Sequence, residues 1–469
     1  MDCNKYVEEH REDVIRSVQD IVRIPSVEAS PLSGKPFGEN VDRALHNALA
    51  LAEKLGFRTK NIDGYAGYAE FGQGDETMAI LGHLDVVPEG SGWTCPPYEA
   101  RIVDGRMYGR GTADDKGPTI GALYGMKAVM ESGKKMKRKV RIIFGTDEES
   151  GWKDMEAYFQ REPMPDFGVT PDADYPIINV EKGILALKLR KDFSAGADSA
   201  VKIKSLTGGH RSNMVPDECI CCFLPTGDQD KILTHLHSME QYSGYELTAD
   251  FCEDSGIRIQ SKGVSAHAST PEKGSNAIGR MLAFLSTMGL GNSEMEQFLL
   301  FLNNKIGVDT TGAGMNLDLK DEVSGALTLN LGTILMDQAH GEAEIDIRYP
   351  VSYSQDQILD ILQSAVKGTG IELECCNAQA PLHVPEEGFL IETLKRVYTE
   401  QTGQPAKVLS IGGGTYARAM KNAVAFGALF PGRPELAHET DEHIFVDDLI
   451  LHTKIYAHAI AALCCEDGH

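Results

Sequence analysis

Apolar residues recur at helical spacing from Tyr6 to Ile21 and again from Asp42 to Leu55, the first run ending before Pro25 and the second at Gly56. Two short apolar runs follow that have no helical period. Met78–Leu81 ends on Gly82-His83-Leu84-Asp85, and Val140–Phe144 runs into Gly145-Thr146-Asp147-Glu148-Glu149. A helix is predicted between them over Thr119–Met130, with Asp114-Asp115 just before it. Strands alternating with helices predict an α/β domain whose mixed, largely parallel sheet is sandwiched by helices. In such sheets ligands bind beyond the carboxyl ends of the strands, and polar residues gather at those ends here.

From Gly183 to Ala380 the pattern changes. Strands are predicted at Ile184–Leu189, Ala200–Lys204, Cys219–Leu224, Ile257–Ile259, Ala326–Leu331, Ala343–Arg348 and Ile371–Cys375, and helices at Gln229–Tyr242, Asn276–Leu285 and Gln355–Val366. This is an α+β pattern built on antiparallel sheet. The segment is about twice as long as one small α+β layer needs, which suggests two similar subdomains. The tail returns to alternation, with helices over Gly388–Gln401 and Val446–Cys465, a strand at Val408–Ile411 and an apolar run at Ala423–Phe430. We therefore expect one discontinuous domain, residues 1–182 and 381–469, interrupted by an inserted domain, residues 183–380.

The charge balance narrows the partners. Asp+Glu number 69 against 45 Lys+Arg, a formal net charge of −24. Such a chain repels phosphate backbones and anionic lipid, so neither nucleic acid nor a membrane is an expected partner. The one dense basic run, Lys134 to Arg141, reads as a solvated connection between a helix and a strand. The first ten residues lack the apolar core of a signal peptide, no apolar stretch is long enough for a membrane helix, and a cytoplasmic location is the default. Several of the ten cysteines are adjacent pairs, which on a strand point to opposite faces, so reduced thiols are expected. Cys219 and Cys221 share a strand face and could hold a metal, but buried thiols are the simpler reading.

Five segments carry metal-capable side chains to apparent strand ends: Gly82–Asp85, Gly109–Gly117, Asp147–Gly151, Thr170–Asp174 and Ala437–Glu439. Singly each has an ordinary reading. Asp114-Asp115 could cap a helix, and Glu148-Glu149 could be a solvated loop. Together they would place several carboxylates at one sheet edge, where they repel one another unless protonated or neutralised by cations. Imidazole and carboxylate ligands suit Zn²⁺, with Mn²⁺ or Co²⁺ as alternatives. Two such ions about 3.5–4 Å apart would need a bridging carboxylate and would clamp a hydrolytic water.

The ordered motifs His83-Leu84-Asp85-Val86-Val87-Pro88, Gly92-Trp93, Pro96-Pro97-Tyr98 and Tyr108-Gly109-Arg110-Gly111-Thr112-Ala113-Asp114-Asp115-Lys116-Gly117-Pro118 resemble the di-metal aminoacylase, carboxypeptidase G and carnosinase family of metallopeptidases. The resemblance continues through Gly145–Gly151, Asn213–Asp217, Gly263–Ser269, Ile411–Tyr416 and Pro431-Gly432, and within the family it is strongest to bacterial dipeptidases of the PepV type. It implies two divalent metal ions per chain, with His83 and Asp172 on one, Glu149 and His438 on the other, and Asp114 bridging, across a cis peptide to Asp115. It implies that Asp85 orients His83, that Glu148 is the general base, and that His267 reaches in from the inserted domain to stabilise the oxyanion. Asn213 becomes a substrate contact, while Arg348 and the backbone of Gly413-Gly414-Thr415 would hold a substrate carboxylate.

The resemblance implies a dipeptidase acting on unblocked dipeptides. The alternatives are an N-acyl amino acid deacylase or desuccinylase with the same mechanism, and an inactive peptide-binding protein. The length of the insertion resembles the doubled lid of PepV-type dipeptidases, where the second half replaces the partner chain, and this resemblance implies a monomer with His267 acting on its own chain. His443 and His210 read as structural, and the glycine run Gly412–Gly414 lacks the Lys-Ser/Thr of a phosphate-binding loop.

Overall fold

The structure, a computed structural model, describes residues 2–194, 201–225, 229–252, 256–291 and 293–466. The chain divides into two compact units. Met1–Asn179, His383–Leu409 and Thr415–His469 form the first, and Val180–Leu382 with Ser410–Gly414 the second.

The first unit is built on a mixed sheet whose strands lie in the order Arg58–Ile62, Ala66–Gly72, Lys139–Gly145, Thr77–His83, Phe167–Thr170, Ala423–Ala425, Ile177–Glu181 and Leu382–His383. Its centre is parallel: Thr77–His83 runs alongside both Lys139–Gly145 and Phe167–Thr170, which in turn parallels Ala423–Ala425. The margin through Ala66–Gly72 and Arg58–Ile62 is antiparallel. The central strands Thr77–His83 and Lys139–Gly145 are buried beyond their first residue, which is why they read as unbroken apolar runs. Arg58–Ile62 was invisible to that reading, because an edge strand of sequence RTKNI has almost no buried side.

Two helices pack on each other and against the sheet. Lys116–Ser132 starts three residues before the predicted Thr119 and is buried on nearly every side. It packs on Val446–Cys464 so closely that a Cβ on Gly125 would lie 2.9 Å from the backbone of Thr453 and Ala457. The predicted helix Tyr6–Ile21 is two helices, Cys3–Glu9 and Arg11–Val22. The break is at His10, whose φ of −109° leaves the helix while its ring Nδ1 bonds the Tyr6 carbonyl at 2.9 Å.

His452, on the closing helix, is fully buried with Nε2 3.0 Å from the Pro118 carbonyl and Nδ1 3.0 Å from the Tyr175 hydroxyl. The carbonyl can only accept, so Nε2 carries the proton and the hydroxyl donates to Nδ1 in the neutral ring. Burial pushes its pKa down to about 3, below the ordinary histidine value. The unfolded chain therefore takes up a proton first as pH falls, and stability present at neutral pH is lost below about pH 6.5. We expect His452→Gln to remove about 2 kcal/mol from the stability lost between pH 6.5 and pH 5. Urea midpoints of both proteins at the two pH values test this, and equal slopes would reject it.

The second unit is one eight-stranded antiparallel sheet in the order Leu247–Phe251, Ile257–Lys262, Glu218–Phe223, Ile203–Gly208, Thr328–Met336, His340–Tyr349, Gly183–Asp192 and Glu372–Gln379. Each half repeats one plan. A hairpin leads to a helix, Gln229–Ser243 or Gln355–Val366, and then to the outer edge strand, with a fourth strand inserted between that edge and the hairpin. The halves meet where Ile203–Gly208 pairs antiparallel with Thr328–Met336. Equivalent strands paired antiparallel make the halves an approximate two-fold pair, and one hydrophobic core runs through both. The structure adds a helix, Glu294–Lys305, that the apolar pattern does not reveal; Ser293 caps it by accepting from the Glu296 amide at 3.2 Å. The strand expected from Ala200 begins at Ile203, Ala200 itself lying outside the described residues.

All ten cysteines are free thiols, and burial pushes Cys219 and Cys221 well above the usual thiol range. Neither joins a metal-capable cluster among the described residues. Among those residues, no helix is long and apolar enough to cross a membrane.

Candidate metal centre

The parallel centre of the first unit's sheet ends in a cluster of carboxylates and histidines. His83 is the last residue of its strand, level with Gly145 on the neighbour. Glu148 and Glu149 follow Lys139–Gly145, Asp172 follows Phe167–Thr170, and Asp114 lies two residues before the helix Lys116–Ser132. His438 comes from the loop preceding the short strand His443–Phe445. Five segments distant in sequence are thus brought to one sheet edge, because parallel strands all end on the same side.

His83 Nε2 lies 2.9 Å from Asp114 Oδ1 and 3.7 Å from Asp172 Oδ2. His438 Nε2 lies 3.2 Å from Asp114 Oδ2 and 3.0 Å from Glu149 Oε2. The two oxygens of Asp114 thus face one histidine each, as a bridging ligand must. The ligand atoms of His83, Asp114 and Glu149 fall within 4.8 Å of one another, and so do those of His83, Glu148 and Asp172. The peptide between Asp114 and Asp115 is cis. His83 Nδ1 bonds the backbone carbonyl of Asp85 at 3.0 Å, with the Asp85 carboxylate at 3.4 Å. That carboxylate also accepts from the Glu149 amide at 3.0 Å, so Asp85 touches both sides of the cluster.

The electrostatics call for cations. Burial, reinforced by the charge of Asp114, pushes Asp172 up to about 7 and raises Glu149. Glu148 is raised well above the carboxylate range by burial and by Asp172. Burial opposes charge on His83, but hydrogen bonds to Asp114 and Asp85 hold its pKa well above the imidazole range. His438 is pushed up to about 11 by its bonds to Asp114 and Glu149. The ion-pair partners of Asp114, Glu149 and Asp172 are these two histidines. In addition Asp85 Oδ1 and Asp115 Oδ1 are buried without a hydrogen bond beside the cluster. An oxygen-rich nest with imidazole members, short of positive charge, fits two divalent cations.

The remaining expected residues belong mostly to the second unit. Asn213 is exposed, and its carbonyl accepts from Ala268 at 3.0 Å, setting it alongside His267. The Ser269 amide donates to His267 Nδ1 at 3.1 Å. A backbone amide can only donate, so Nδ1 is the acceptor and the ring proton sits on Nε2. Arg348 is buried and gripped by both oxygens of Asp346, at 2.6 and 3.0 Å, while its Nη1 donates to the Gly412 carbonyl at 3.0 Å. It therefore braces the loop that continues into Gly413 and Gly414. A Cβ on Gly412 would lie 2.7 Å from Ser269 Cβ, so this loop and the His267 turn fit only without a side chain there. Thr415 is in the first unit and caps the short helix Tyr416–Ala419.

Residues 79–462 match the family model described as peptidase family M20/M25/M40. The chain belongs to the M20 peptidases. It is 42% identical over 457 residues to a Bacillus subtilis (strain 168) protein named "Putative dipeptidase YtjP", covering 97% of each chain. It is 33% identical over 468 residues to "Putative dipeptidase SSP1012" of Staphylococcus saprophyticus, covering 98% of this chain and 99% of the relative. Two solved structures share its fold. They are the aminoacylhistidine dipeptidase of Vibrio alginolyticus, with a TM-score of 0.59, 14% identity and 96% of each chain covered, and human carnosine dipeptidase 1, with 0.57, 16% and 98% of each.

This M20 peptidase holds its polar cluster with buried residues that the motif reading passed over. Asp154 Oδ2 accepts the Thr146 amide at 2.8 Å and the Asp147 amide at 3.2 Å, and it pairs with the Tyr416 hydroxyl, steadying the turn before Glu148. Asp115 Oδ2 takes the His83 amide at 3.2 Å and the Thr119 hydroxyl at 2.7 Å. Arg110 and Glu442 form a buried pair at 2.7 Å. Arg110, Asp115 and Tyr416 stand inside recognisable motifs; Glu442 is one acidic residue among many, and only the folded chain distinguishes it.

Gly82 leaves the space that Asp115 occupies. A Cβ there would lie 1.9 Å from Thr119 Oγ1 and 2.6 Å from Asp115 Oδ2. Gly82→Ala is expected to cost about 1–3 kcal/mol and to displace His83. Melting midpoint and bound metal after dialysis report this, and wild-type values for both would reject it.

Proposed function

We propose that this M20 peptidase is a metal-dependent dipeptidase that hydrolyses unblocked dipeptides. The observation that carries the reading is the meeting of His83, Asp114, Glu149, Asp172 and His438 around one sheet edge with Glu148 beside them. Full-length similarity to bacterial relatives named as dipeptidases supports the choice of substrate. His83 and Asp172 would hold one cation, Glu149 and His438 the other, and Asp114 both. Zn²⁺ suits the donors, and Mn²⁺ or Co²⁺ can take the same set. Such cations, when bound, acidify a water and polarise a carbonyl.

The chain's own residues do the rest. Glu149 commits its carboxylate to His438, which leaves Glu148 to take a proton from the attacking water and return it to the leaving amine. Asp85 keeps the His83 ring in orientation. His267, with its proton on Nε2, donates to the developing oxyanion. Asn213 contacts substrate, and the Gly413-Gly414-Thr415 backbone with Arg348 receives the terminal carboxylate. In this reading the first unit is catalytic, the second is a lid whose paired halves suit a monomer, and the enzyme works in the cytoplasm.

The test is release of amino acids from unblocked dipeptides, a tripeptide and their N-acetyl counterparts, after chelation and after adding back Zn²⁺, Mn²⁺ or Co²⁺. Metal-dependent cleavage confined to unblocked dipeptides supports the proposal. Cleavage of the N-acetyl compounds alone makes the enzyme a deacylase with the same chemistry. No hydrolysis despite bound metal overturns both.

A further inference from the structure

We propose that the buried Arg110–Glu442 pair is a positioning element that holds Asp114 and His438 in register, so that the cation site to which His438 belongs depends on it more than the other does. The inference rests on the di-metal reading above. Arg110 is 2% exposed and Glu442 is 0% exposed. Arg110 Nη1 donates to Glu442 Oε2 at 2.7 Å, and the same oxygen accepts the Gly111 amide at 3.0 Å. Oε1 accepts the amides of Ala113 at 2.8 Å and Asp114 at 3.2 Å. Both carboxylate oxygens are thus filled by N–H donors from the turn that ends at Asp114.

The other end of the pair reaches His438. Arg110 Nη2 donates to the His438 carbonyl at 3.2 Å. His438 has a φ of 66°, a left-handed conformation that a side chain with a Cβ resists, so the surrounding contacts must hold it. The Glu442 carbonyl accepts from Gly109 at 2.9 Å, and the pairing continues with His443 opposite Tyr108. Two segments more than 300 residues apart are therefore locked together one step behind the point where Asp114 Oδ2 meets His438 Nε2. His83 ends its strand and Asp172 follows Phe167–Thr170, and the hydrogen bonds of this pair go instead to Gly111, Ala113, Asp114 and His438.

Buried ion pairs cost desolvation and add little net stability, so stability alone does not account for this one. Its hydrogen bonds also specify its chemistry. Glutamine at 442 would turn an NH₂ toward N–H donors in either orientation. Lysine at 110 keeps the charge pair but lacks the fork that serves Glu442 and His438 together.

The experiment titrates Zn²⁺ by calorimetry into metal-free wild type, Glu442→Gln, Arg110→Lys and a ligand control, His438→Ala. We expect two binding events in wild type. In Glu442→Gln and Arg110→Lys, the event that His438→Ala abolishes should weaken ten- to hundred-fold and the other event by less, because only the first uses both residues the pair holds. Arg110→Lys retains the buried charge pair and so reports even if Glu442→Gln fails to fold. Two unchanged events in both variants, or equal weakening of both events, overturn the positioning role. Wild type that binds no Zn²⁺ overturns the di-metal reading itself and this inference with it, whereas His438→Ala that keeps both events removes His438 from the ligands and overturns this inference alone.

Discussion

Glu148→Gln is expected to lower kcat by about 10²–10⁴-fold while the purified protein keeps whatever cations the wild type binds. The Glu148-Glu149 pair divides its labour. Glu149 is tied to His438 through both carboxylate oxygens, at 3.1 and 3.0 Å. Glu148 lies against His83 and Asp172 in a half-buried position, where burial and the charge of Asp172 raise its affinity for a proton. A carboxyl that holds and releases protons easily is what a general base and acid needs, and glutamine preserves its size while removing that capacity. Turnover and metal content, measured on the same preparation, decide the matter. Wild-type turnover removes Glu148 from the chemistry. Loss of one cation instead makes it a ligand beside His83 and Asp172.

Asp114→Ala is expected to remove metal binding rather than chemistry alone. Each Asp114 oxygen faces a different histidine, at 2.9 Å for His83 and 3.2 Å for His438, so one substitution reaches both proposed cation sites. Even partners that only orient a ligand cost ten- to hundred-fold in affinity when lost, and a shared direct ligand costs more. Bound metal after dialysis should fall from two per chain to one or none, with hydrolysis at background. Two retained cations and wild-type turnover would show that Asp114 does not bridge.

The architecture was largely legible because its decisive elements are apolar and long. Thr77–His83 and Lys139–Gly145 are buried central strands, and such strands announce themselves as unbroken apolar runs. The helix Val446–Cys464 was bounded to within one residue. What escaped has a common cause. Arg58–Ile62 is an edge strand with little to bury, and Cys3–Glu9 and Arg11–Val22 share an apolar face that hides the break at His10. A burial pattern records which face is covered, and it is blind to hydrogen bonds that end one helix and begin another.

The sequence by itself determined the chemistry available to this protein. Ordered motifs bring His83, Glu148, Glu149 and Asp172 to strand ends that main-chain direction turns to one edge, with Asp114 just before a helix and His438 in a loop. Tertiary structure alone decided how those groups are held. Glu442 filling four N–H donors, Asp115 occupying the space beside Gly82, and the Ser269 amide assigning the His267 proton are contacts between residues with no periodic relation. Buried polar atoms must find partners wherever the packed chain brings them, so which acid supports the site is settled by packing and has no signature in the order of residues.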